Sequence, residues 1–94
     1  MMYQAKTVDE AVDYVLGVLT EQDKDALRDM PEHEVTVNTH FGLGMWIRNN
    51  LGLWRGNQGL LDSGGSYHPD DVSSVIVKAL WQRLQTPAQP ADRE

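Results

Sequence analysis

The chain contains no cysteine. That excludes a disulfide framework, a zinc–thiolate site and a cysteine nucleophile. It also fits a reducing compartment, so a cytoplasmic location is the expectation. No apolar stretch approaches the roughly 20 residues that span a bilayer. The start, MMYQAKTVDE, has no apolar run behind a basic segment, so no signal peptide is expected. Basic residues are scarce: eight Lys and Arg stand against 14 Asp and Glu, for a net charge of −6. The deficit is local. Residues 1–34 hold nine acids against Lys6, Lys24 and Arg28, whereas residues 35–94 hold five of each sign. An acidic third repels phosphate backbones, so nucleic-acid binding is disfavoured. The plain reading of this charge is a solvated helical surface; the sharper one is a face that docks a basic partner.

What is present is enough for one small domain. Ninety-four residues with 40% apolar content and three Trp bury a modest core in which each large side chain counts. Residues 1–86 are read as a single helical domain. Residues 87–94 form a polar tail with little to bury and are read as disordered.

Helical spacing dominates the pattern. Thr7 with Glu10 three residues on is a capping-box signature, and Val8, Val12, Val15 and Leu19 follow at helical intervals, predicting a helix over 8–19. Thr20 caps a second, short helix over 21–29, which Pro31 ends. The segment 32–50 is ambiguous. Val35, Val37, Phe41, Leu43 and Met45 alternate as a strand would, but Met45, Trp46 and Ile47 break the alternation and no partner strand is evident. A helix over 32–50 is therefore predicted. Residues 52–66 carry five of the eight glycines and read as a connection with a turn of helix near Asn57–Leu61. Pro69, Asp70 and Asp71 suit a helix start, and Val72, Val75, Ile76, Ala79, Leu80 and Leu84 form its apolar stripe, which Val77 and Trp81 widen. The fold class is all-α: a small orthogonal or bundle-like domain of four main helices, the third and last packed as a central pair.

The stretch HFGLGMWIRNNLGLW, His40 to Trp54, sets glycines and Arg-Asn-Asn inside the most apolar segment. Gly44 lies between His40 and Arg48 on one helical face and opens a notch there. Close helix packing accounts for it, as does entry of a ligand. Each glycine costs the helix about 1 kcal/mol, so something compensates. Arg48 near a helix end can bind terminal carbonyls and a carboxylate, and Asp70 and Asp71 are natural partners. Asn49 and Asn50 can shape the helix end. His40 falls in the arc of Leu43, Ile47 and Leu51, where a satisfied core histidine is the commoner outcome. The functional alternative joins His40, Arg48, Asn49, Asn50 and His68 with the acids into an anion-binding cluster. Adjacent acids point about 100° apart on a helix, so Asp70 and Asp71 do not grip one ion together, and no metal-ligand spacing is present. Trp46 projects away from the His40 face. Either the first two helices cover it, or it and Trp54 mark a protein interface, which includes a homodimer through Trp46.

The run His40-Phe41-x-Leu43-Gly44-Met45-x-Ile47-Arg48-Asn49-Asn50, then Leu53-Trp54 and His68-Pro69-Asp70-Asp71, resembles DUF6794, a family of small bacterial and phage helical domains. The resemblance covers roughly Thr20 to Leu84. It implies a helical fold and brings no catalytic residues, metal or cofactor. Two functions are carried forward: a non-catalytic module that binds another protein, and a small enzyme or anion-binding domain using the His/Arg/Asn/Asp cluster.

Overall fold

Hydroxyl caps start the first two helices. Thr7 Oγ1 accepts the Glu10 N–H at 3.1 Å and opens α1, Val8–Val18. Glu10 does not return to Thr7 as a full capping box would. Its Oε1 accepts the Lys6 N–H at 2.8 Å, one residue further back. Thr20 and Asp23 do form the full box for α2, Glu21–Arg28. The helix α3, Glu32–Thr39, begins directly after Pro31, with Glu32 and Glu34 in its first turn. It is followed by α4, Met45–Asn50, α5, Gln58–Gly64, and α6, Pro69–Gln85. This computed structural model describes residues 5–66 and 68–85, with His40 and Phe41 described by their backbone only. The tail 87–94, expected to be disordered, lies outside the described residues.

The described residues form six α-helices and no strand, so the fold is all-α. Four main helices were expected, and two local features raise the number. The segment 32–50 is helical throughout, but its middle, His40–Gly44, is a five-residue π-turn separating α3 from α4. The glycine-rich connection holds a 3₁₀ turn, Leu53–Arg55, and then α5, whose cap Asn57 accepts the Leu60 N–H.

The π-turn resets the face that the rod buries. In an unbroken α-helix the buried line would continue at steps of three or four. Here Val35 and Thr39 are buried on α3, and the line resumes five residues on at Gly44, then Ile47, Arg48 and Leu51. Val37, which an unbroken helix would align with Gly44 and Arg48, is 73% exposed.

Helix α6 is the hub. It packs against α1, α2, α3, the π-turn, α4 and α5, burying Val72, Ile76, Val77 and Leu80 against Val12, Val15, Leu27, Val35, Ile47, Leu51 and Leu60. The expected pairing of the 32–50 rod with the last helix is present. One position of the stripe differs: Ser73 is buried and Val75 is 40% exposed. Ser73 faces the rod because a polar partner waits there.

Candidate functional site

That partner is Arg48, whose residue is 4% exposed. Its guanidinium reaches α6 across Gly44: Nε lies 3.3 Å from Asp70 Oδ1, and Nη1 donates to Ser73 Oγ at 2.9 Å. Ser73 in turn donates to the Asp70 carbonyl at 2.9 Å. A Cβ on Gly44 would sit 3.2 Å from Arg48 Nη1 and 3.3 Å from the Thr39 carbonyl. The glycine is the floor over which the guanidinium lies. Thr39, on the same line, donates its hydroxyl to the Val35 carbonyl at 2.7 Å, as an interior threonine does on its own helix.

The remaining polar residues serve local ends. His68 caps α6: its Nδ1 accepts the Asp70 N–H at 3.2 Å, and its carbonyl accepts from Val72 N–H. The same Nδ1 lies 4.0 Å from Asp70 Oδ2, a geometry that would require a proton on Nδ1. The shorter contact decides the tautomer, with Nδ1 as the acceptor. Asp71 diverges from Asp70, and its Oδ2 accepts the Ser66 hydroxyl at 3.1 Å. Asn50 donates to the Trp46 carbonyl at 2.8 Å and closes α4, while Asn49 is exposed. The His40 side chain lies outside the described residues. Among the described residues no group of three or more metal-ligating side chains gathers.

The structure thus brings Arg48, His68 and Asp70 together, but as a closed joint. The notch lined by Thr36, Thr39, Gly44, Arg48, Ser73, Ser74 and Val77 leaves no volume for a water-sized sphere. Asp70 stands between the guanidinium and the imidazole, so an incoming anion would meet a carboxylate. The chemistry available here is that of a buried charge satisfied by hydrogen bonds, which fixes one helix on another.

Of the tryptophans, Trp46 is half-buried and stacks on Tyr14 of α1, with centroids 6.2 Å apart and planes at 20°. The first helix therefore packs against it. Trp81 donates its indole N–H to the Met30 carbonyl at 2.8 Å. Trp54 is 57% exposed.

The open concavity lies elsewhere. A groove of about 320 Å³ between α2 and the π-turn is lined by Leu19, Asp23, Ala26, Leu27, Met30, Thr39 and Leu43. Sequence reasoning missed it. The signal present was the short apolar patch of Ala26, Leu27 and Met30, too small to cover itself. A second hollow of about 310 Å³, between α3 and α6, is lined by Glu32, His33, Thr36, Ser74, Val75 and Lys78. Its acid and base already lie 3.7 Å apart.

Most of the acids in the first third are engaged within the fold. Asp13 accepts from Arg83 at 2.8 Å, Asp25 pairs with Arg28 at 3.0 Å, and Glu21 with Lys24 at 3.2 Å. Glu10 and Asp23 accept from backbone N–H groups at helix starts. No described helix is long and apolar enough to cross a membrane. Residues 6–84 match one protein family, described as a domain of unknown function (DUF6794). No curated protein and no solved structure matches the chain.

Proposed function

Because the chain belongs to the DUF6794 family, whose description assigns no activity, we propose from its geometry that it is a non-catalytic interaction module. Its groove between α2 and the π-turn receives an apolar side chain that a basic group flanks on a protein partner. The observation that carries this reading is a contrast. The polar cluster around Arg48 is shut, whereas the apolar groove is open to solvent. A concave apolar surface that the described residues leave uncovered is the usual signature of a recognition site. The flanking basic group is the complement of Asp23, a carboxylate among the groove's lining residues. The anion-binding alternative has no comparable support, because the guanidinium it needs is taken up by Asp70 and Ser73.

Amide chemical-shift mapping tests the reading. Two short peptides with the same aromatic anchor, one flanked by Lys and Arg and the other by Asp and Glu, are titrated into the labelled protein. The basic peptide should perturb Ala26, Leu27, Met30 and Leu43, and less so at high salt. Perturbation centred on Arg48, Asp70 and Ser73, or none at all, contradicts the proposal.

A further inference from the structure

We propose that the groove's occupant is a second copy of this chain, which enters with Trp54 and Arg55; this rests on the groove being a docking site. Two uncommitted groups occupy consecutive positions of one 3₁₀ turn, about 120° apart around its axis, so Trp54 is the side chain that enters the groove and the longer Arg55 is the one that reaches its lining carboxylate. Trp54 is the exposed member of the three tryptophans, since Trp46 stacks on Tyr14 and Trp81 is bonded to Met30. Arg55 is also exposed, and among the described residues it and Lys6 make no ion pair, whereas Lys24, Arg28, Arg48, Lys78 and Arg83 all do. Of the two bases without an ion pair, Arg55 is the one next in sequence to an exposed indole. Tryptophan and arginine are also the side chains that most often dominate binding energy at interfaces.

The turn that carries them is held rigid. Gly52 at φ 75° and Gly56 at φ 78° bracket it in backbone states that favour glycine. Leu53, 2% exposed, anchors it in the core. The Asn57 side chain ties it down by donating to the Ala5 carbonyl at 2.8 Å and the Leu51 carbonyl at 3.0 Å. A side chain presented from such a turn has little conformational freedom left to lose on binding.

The groove offers the complement. Its apolar walls suit an indole, and Asp23 uses Oδ2 to cap Thr20, leaving Oδ1 to accept from a guanidinium. The turn packs on α4 and α5 and gives no residue to the groove wall. Knob and groove are therefore separate patches of each molecule, so one copy's turn meets the other copy's groove. One Trp buries about 150–250 Å², against the ~1,200 Å² at the low end of specific interfaces. Each copy also carries a net charge of −6, so association is weak, grows with concentration and is favoured by salt.

Sedimentation velocity over a concentration series of the full chain tests this, with Trp54→Ala and Ala26→Arg as variants. Both positions are exposed, and unchanged circular dichroism verifies that the variants fold. The wild-type sedimentation coefficient should rise with concentration, and each variant should stay at the monomer value. A one-to-one mixture of the two variants should associate again and stop at two copies, because one intact knob meets one intact groove. A wild-type chain that stays monomeric throughout, or a mixture that stays monomeric, overturns the proposal. If the basic peptide still maps to the groove in that case, the docking site stands and only its occupant is wrong; if the peptide also fails, both fall.

Discussion

Glycine acts differently at each position in this chain, and the neighbours decide how. At Gly44 a Cβ would press on the Arg48 guanidinium and the Thr39 carbonyl, so the residue that weakens the rod also makes room for the joint. At Gly64 a Cβ would lie 2.9 Å from Cγ1 and 3.0 Å from Cγ2 of Val72. Val72 is fully buried and β-branched, with little rotamer freedom to retreat. Gly64→Ala should therefore lower the unfolding free energy by about 1–3 kcal/mol. Gly17 is the opposite case: nothing lies within 4 Å of a Cβ there, and the residue is exposed on α1. Gly17→Ala should raise stability by about 0.8–1 kcal/mol. Urea denaturation measures both, and shifts of the same sign would contradict this account. Gly42 also has open space around a Cβ, and nothing in the structure explains why it is glycine.

Between elements, the joint of Arg48 with α6 is where energetic asymmetry should appear. The buried partner is the guanidinium, while the Asp70 side chain is 43% exposed. Asp70→Ala takes the carboxylate from a buried cation and an acid from the first turn of α6. It should cost about 1–2 kcal/mol, at the lower end for a charged hydrogen bond because of solvent screening. Arg48→Met removes the buried charge itself and keeps an apolar stem, so it should cost less than Asp70→Ala. Chemical denaturation of both variants checks the order, and a larger loss for Arg48→Met would reverse the argument. This joint was legible in the sequence, because a buried arginine and acids at a helix start are complementary by chemistry alone. Helix starts at Thr7, Thr20 and Pro69 were legible for the same local reason. The π-turn was not. Its five-residue step replaces the three and four on which pattern reading rests, so Val37, which an unbroken helix would align with Arg48, is in solvent.

Over the whole molecule, the acidic first third is largely occupied with caps and ion pairs, and the described residues leave an apolar groove open. The groove was invisible in the sequence because its walls come from Leu19, the α2 patch and Leu43, which share no periodicity and meet only after folding. The central claim is that binding belongs to this groove and that the Arg48 cluster is structural. The affinity of the basic-flanked peptide for wild type, Ala26→Arg and Arg48→Met tests it most directly, by fluorescence anisotropy at fixed low salt. Ala26→Arg, which places a bulky like charge in the groove, should weaken binding by about tenfold or more, equivalent to ~1.4 kcal/mol. Arg48→Met should leave the affinity at the wild-type value. Loss of binding in Arg48→Met with retention in Ala26→Arg would contradict the account.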